Sequence, residues 1–183
     1  MISAQQTGVR RLLVPVGYED WSRGPAGAPV TLLEYGDFEC ADCRALYPVI
    51  EKVFAANQWR MRMAFRHFPF ESLHPHAMQA ALAAEAAGRQ GKFWEMHARL
   101  YEGDGRLAPE DLLRYAHQLR LDMERFRSDM ADADLAKRIR QGKLQAVRSG
   151  AGRVPTIFLN GTRYDGPADF DSLVNAVDEL IKY

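Results

Sequence analysis

Cysteine is nearly absent: the 183 residues hold two, Cys40 and Cys43. A small secreted scaffold stapled by disulfides carries several at wide spacing, so that class is excluded. Nor does stapling explain the pair, because a disulfide stabilises mainly by closing a long loop of the unfolded chain, and this loop is minimal. An excess of one charge is missing too. Lys and Arg number 24, and so do Asp and Glu, so no global field draws the chain toward nucleic acid or an anionic membrane. No apolar run approaches the ~18 residues that span a bilayer, which argues against membrane insertion. The first twenty or so residues lack the apolar block of a signal peptide. With Met1 as the native start the expected location is the cytoplasm; an exported protein is expected if a signal was removed. Internal repeats and low-complexity tracts are absent.

What is present reads as one α/β unit. Residues 1–28, rich in Gly, Pro and polar side chains, predict an extended N-terminal arm, with Gly24-Pro25-Ala26-Gly27-Ala28-Pro29 at its end. Val30–Tyr35 is short, apolar and β-favouring, a buried-strand pattern punctuated by Gly36 and Asp37. A helix follows from the cysteines, with Leu46, Val49, Ile50, Val53 and Phe54 on one face and a kink expected at Pro48. Met61, Met63 and Phe65 then alternate with Arg60 and Arg62 as a second strand. From about residue 75 to 149 the pattern is helical, with Pro109 opening one helix. Thr156–Leu159 and Thr162–Tyr164 flank Asn160-Gly161, a two-residue hairpin signal. Phe170, Leu173, Val174, Val177, Leu180 and Ile181 define a last helix. The order is β-α-β, a helical block, then β-β-α. Residues 29–183 thus form one domain with the block inserted at about 75–149.

The chemistry centres on the C-x-x-C pair. A strand, a short loop and a helix starting at the first cysteine place Cys40 at a helix N-terminus. Free N–H groups and the positive dipole end there favour a thiolate. Cys43, one turn in, is expected to be more buried and less acidic. Cys40 is therefore the expected nucleophile and Cys43 the resolving thiol. Pro155, at the mouth of a strand, is a candidate cis-proline beside which an extended substrate can pair. Glu34, six residues before Cys40 on an apolar strand, is a candidate buried carboxyl that exchanges a proton with Cys43; a salt-bridged structural role is its alternative.

Three stretches carry a resemblance. Ala28–Cys40 is similar to the entry to the active site in the DsbA-like branch of the thioredoxin superfamily. His74-Pro75-His76-Ala77, Ala83–Ala87, Gln90–Trp94 and Met96-His97 resemble that branch's insertion helices. Val154–Gly161 resembles its cis-proline strand and hairpin. The resemblance covers about residue 22 to the C-terminus. It implies a thioredoxin fold with an inserted helical subdomain and thiol–disulfide oxidoreductase activity through a mixed disulfide. Pro155 becomes the cis-proline with Val154 and Thr156 beside it at the substrate, and Glu34 the buried acid. No metal or organic cofactor is implied, because the cysteine pair carries the electrons. The implied partners are protein or small-molecule thiols and disulfides, plus a recycling redox partner.

Between the cysteines the sequence departs from many relatives, which carry proline followed by histidine or an aromatic residue; here stand Ala41 and Asp42. Asp42, Glu39 and Asp37 are expected to repel a thiolate at Cys40, with Arg153 as a partial offset. The expected couple is correspondingly mild, nearer about −270 mV than about −120 mV. The rival reading is a non-catalytic binding or zinc-holding module, although a structural zinc needs four ligands. His67, His74, His76, His97 and His117 read as structural or surface residues, with His74-Pro75-His76 capping an insertion helix. Phe93, Trp94 and Met96 read as core. Lys137, Arg138, Arg140, Lys143 and Arg148 read as a solvated face.

Overall fold

A computed structural model describes residues 10–182. The strands are β1 (Trp21–Arg23), β2 (Val30–Gly36), β3 (Met61–His67), β4 (Thr156–Leu159) and β5 (Thr162–Tyr164). They form one sheet in the order β1-β3-β2-β4-β5. Only β2 and β3 run parallel; the other neighbours are antiparallel. The parallel pair needs a crossover, which α1 (Ala41–Ala56) supplies; it stays continuous through Pro48. The β4–β5 turn is the predicted Asn160-Gly161, both at positive φ.

The alternation of β2 decides where its side chains go. Val30 and Leu32 share a face with Met61, Met63, Ile157 and Leu159, covered by Leu46, Ile50 and Val53 of α1 and by Leu173 and Val177 of α7 (Phe170–Ile181). Leu33, Tyr35, Ala64 and Phe158 face the other way, against Ala146 and Ala151. With a side-chain period of two, Glu34 falls on the α1 face with Val30 and Leu32. The carboxyl is thus carried into the core beneath the cysteine helix.

Between β3 and β4 lie α2 (Ala77–Gly88), α3 (Phe93–Glu102), α4 (Pro109–Gln118), α5 (Met123–Met130) and α6 (Ala133–Arg148). Helix α2 is alanine-rich and buried at ten of its twelve positions, because small side chains let α3, α5 and α6 approach closely. Asp122 and Asp132 cap α5 and α6 by accepting backbone N–H groups two and three residues on. The inserted helices share their core with the cysteines: Phe38, Cys40, Cys43 and Phe65 pack with Phe93, Met96, Leu100 and Tyr101.

The N-terminal segment differs from the expected arm. Its residues 1–9 lie outside the described residues, but from Arg10 onward the chain is built into the sheet. Arg11 bridges to Thr162 at one edge, and β1 pairs with β3 at the other. Arg66 holds the stretch between, bonding Asp20 at 2.6 Å and the Val14 carbonyl at 2.9 Å. The reason is side-chain anchoring rather than β-propensity. Trp21 stacks on Phe93 at 4.7 Å and donates its indole N–H to Glu85 at 2.8 Å, while Arg23 pairs with Glu51 and lies over the Phe54 and Trp94 rings.

Candidate active site

Cys40 occupies the N-cap of α1, and its backbone N–H is bonded to the Asp37 carbonyl at 3.2 Å. It is 8% exposed, whereas Cys43, one turn into the helix, is fully buried. The two are a dithiol 3.7 Å apart. The Cys43 thiol bonding to the Cys40 sulfur pulls Cys40 from the ordinary thiol value of 9.0 down to about 6. Burial works against this, and the backbone N–H groups of Cys43 and Asp42 reinforce it. Cys43 moves the opposite way, raised by the same bond, by burial and by the nearby Glu34. The hydrogen bond between them thus sets two chemically identical groups apart, a thiolate at the helix terminus and a fully buried thiol.

Glu34 is 1% exposed, and one of its carboxyl oxygens has no hydrogen-bond partner among the described residues. Burial, then the charges of Glu51 and of Cys40, push it from 4.5 to about 8. It makes no ion pair among the described residues, so the salt-bridged alternative has no support. The Tyr101 hydroxyl also lies here, buried without a partner and within the field of both Glu34 and Cys43. Gly36 makes room for it: a Cβ there would stand 2.7 Å from that hydroxyl and 2.6 Å from the Phe65 ring.

The Val154–Pro155 peptide is cis. The Cys40 sulfur is 3.9 Å from the Val154 carbonyl oxygen. Thr156 turns its hydroxyl to the Arg153 carbonyl at 2.6 Å and pairs with Tyr35 across the β2–β4 ladder. Pro155, Thr156, Arg153, Leu46 and Val147 line part of a groove of about 490 Å³. Arg153 itself is exposed, with no side-chain partner among the described residues.

The acids around Cys40 behave differently from their sequence reading. Asp37 does oppose the thiolate, whereas the Asp42 backbone N–H favours it, and neither the Glu39 nor the Asp42 carboxylate is among its main influences. The physical reason is partnering. Asp37 accepts the N–H groups of Glu39 and Phe70, each at 2.8 Å, and meets His74 Nδ1 at 2.8 Å. Glu39 accepts the His76 N–H at 2.7 Å and meets its Nδ1 at 3.0 Å. Asp42 points into solvent. His76 stands at the N-cap position of α2 but makes no side-chain cap bond, so the histidines clasp the acids rather than capping the helix. This clasp was missed from sequence, although the matched spacing of Asp37-x-Glu39 and His74-x-His76 is its trace. Glu51 and Tyr101 were missed as well. Glu51 repeats Cys43 at i+8 with Tyr47 at i+4, one face of α1.

Of the other histidines, His97 is buried among Phe38, Phe65 and Tyr101, and its pKa lies well below 6.5 through burial. His67 pairs with Glu85 at 3.0 Å. Both are packing residues here.

A mixed sheet with the cysteine helix at its mouth and five helices inserted before the last hairpin is the thioredoxin fold in its DsbA-like form. A family model described as Thioredoxin matches residues 18–179. The chain belongs to that family. Among solved structures it is similar to a thioredoxin-like oxidoreductase from Silicibacter pomeroyi, at TM-score 0.81 and 26% identity over 91% of this chain and 95% of that one. It is also similar to alpha-DsbA1 of Wolbachia pipientis, at TM-score 0.80 and 21% identity over 93% and 94%. By sequence it is 44% identical over 171 residues to the protein named Na(+)/H(+) antiporter NhaA 3 of Salinispora tropica, covering 93% of this chain and 26% of that one. The chain spans about a quarter of the length of the curated relatives it matches. Among the described residues, no helix is long and apolar enough to cross a membrane.

Proposed function

We propose that the protein is a thiol–disulfide oxidoreductase that exchanges disulfides through a mixed disulfide at Cys40. The observation that carries this reading is the split of the pair: Cys40, held near 6 at a helix N-terminus, beside a buried Cys43 whose thiol keeps its proton. The thiolate is the nucleophile of exchange and, being weakly basic, also the better leaving group.

In the reducing direction the Cys40 thiolate attacks one sulfur of a substrate disulfide. The second substrate sulfur leaves as a thiolate and takes a proton. Cys43 then gives its proton to the minor fraction of Glu34 that is ionised near neutral pH and attacks Cys40, releasing the first substrate sulfur and closing the Cys40–Cys43 disulfide. Two electrons pass to the substrate. In the oxidising direction a substrate thiolate attacks Cys40, and Cys43 leaves with the proton that neutral Glu34 holds. A second substrate thiolate then displaces Cys40. A carboxyl near 8 serves both directions around neutral pH. The cysteine pair carries both electrons, so the reaction asks for no organic cofactor or metal. The zinc-holding alternative lacks support, since no three metal-binding side chains converge among the described residues.

The substrate lies across Val154, Pro155 and Thr156, where backbone beside the Cys40 sulfur can pair with an extended segment and the adjoining groove can take its side chains. Protein or small-molecule thiols and disulfides fit this open site, and a second dithiol system must recharge the pair. No charge excess points to nucleic acid.

Cys43→Ser tests the mechanism in cells. The variant is expected to accumulate substrates joined covalently to Cys40, released by reductant, and Cys40→Ser to trap none. Equal trapping by Cys40→Ser reverses the two roles; no trapping by either, with no turnover by the unaltered protein, ends the reading.

A further inference from the structure

The residues between the cysteines, Ala41 and Asp42, offer Cys40 no cation, yet a buried carboxylate lies beside it. Asp37 has no solvent contact at its side chain, and its backbone carbonyl is bonded to the Cys40 N–H. An unpaired carboxylate so placed would oppose ionisation of the sulfur strongly, because both charges are shielded from water. His74, delivered by the β3–α2 loop, meets that carboxylate at 2.8 Å with its side chain 24% exposed. We propose that His74 is the positioning residue for the Cys40 thiolate: as an imidazolium locked to Asp37 it cancels the buried charge and sets a positive charge at the mouth of the site. This inference rests on Cys40 being the nucleophile.

The surroundings leave this task to His74. From the cysteine loop Cys40 faces Asp37 and Glu39; from α1, Asp42 and the Cys43 thiol; from β2, Glu34; from α3, Tyr101; from the loop before β4, the Val154 carbonyl and the unpartnered Arg153. None of these supplies a fixed cation. His76 faces Glu39, but that pair is more open to solvent, where charge is screened. Reciprocity supports the coupling. Asp37 holds the His74 imidazole above its usual value of 6.5 despite partial burial, and the Cys40 thiolate adds to the effect. Each charge favours the other, so the two titrations are linked.

His74→Asn keeps a side-chain N–H near the position of Nδ1 and removes the charge. In the reduced full-length protein, the pH midpoint of thiolate absorbance or of iodoacetamide alkylation at Cys40 is expected to rise from about 6 by roughly one unit. His76→Asn is expected to move it much less. A midpoint that stays put in His74→Asn, or that moves as far in His76→Asn, overturns the proposal. If His74→Asn does not fold, the unaltered protein decides by NMR titration of His74. The imidazole midpoint is expected to be higher in the dithiol form than in the disulfide form, and equal midpoints overturn the proposal. Exchange activity that persists with an unmoved midpoint removes only the role of His74; loss of exchange in Cys40→Ser tests the activity separately.

Discussion

Glu34 keeps its proton in the folded protein up to about pH 8, whereas in the unfolded chain it ionises near its ordinary 4.5. A folded-state value above the unfolded one gives stability that is fully present below 4.5 and is lost as pH rises toward 8. Above that the folded carboxyl ionises too, and the loss stops growing. At pH 7 the loss is on the order of 3 kcal/mol. Glu34→Gln, which cannot ionise, is expected to raise the unfolding free energy from urea titration at pH 7 by that order and leave it nearly unchanged at pH 4, while slowing exchange. An equal gain at both pH values would show that packing, not the retained proton, sets the effect. The spacing of Glu34, Cys40, Cys43 and Pro155 was legible in the sequence because helix start, strand period and chain direction place all four. The acids were not. Charge signs along Asp37, Glu39 and Asp42 could be read, but the histidines that bond two of them lie 37 positions away, a distance only the folded chain closes.

Among the elements, β1 shows how tertiary packing makes a strand from a segment with little β-propensity. Trp21 lies flat on Phe93 and against the α2 backbone at Gly88, where a Cβ would stand 2.4 Å from Trp21 Cζ2. The ring cannot retreat without breaking its stack and its bond to Glu85. Gly88→Ala is therefore expected to destabilise the fold by about 1–3 kcal/mol through overpacking. That penalty is expected to vanish in a Trp21→Ala background, as a double-mutant cycle by urea denaturation would report. The same penalty in both backgrounds would place the strain elsewhere in α2. The long periodic elements were legible in the sequence: the cysteine helix, the hairpin and the last helix have the predicted residues. The edge strand was not, because three residues, Trp-Ser-Arg, carry too little period to register. The apolar face read from Leu46 to Phe54 does run on through Pro48. A proline removes one helical bond, and the burial of Leu46, Ile50 and Val53 against the sheet holds the helix across that gap.

At the scale of the whole molecule, the redox potential measures how much better the fold tolerates the dithiol than the disulfide. Each stabilisation of the Cys40 thiolate lowers the free energy of the reduced form and makes the couple more oxidising. Opposed influences act on it: the Cys43 thiol and the N–H groups of the first turn of α1 favour ionisation, while burial and Asp37 from the β2–α1 loop oppose it, and His74, on our proposal, restores it. Their balance, about 6, lies between the thiol of thioredoxin at about 7 and that of DsbA at about 3.5. The potentials of those proteins are about −270 mV and about −120 mV. A thiol value nearer that of thioredoxin predicts a potential between those two, on the mild side. The cause differs from the repulsion expected from the sequence, for two of the three acids are hydrogen-bonded to histidines and no residue between the cysteines adds a cation. Equilibration with glutathione buffers measures it. A potential above about −150 mV would mean that strain or solvation of the disulfide form, rather than thiolate stabilisation, sets the couple, and the link from helix terminus to redox poise would fail for this protein.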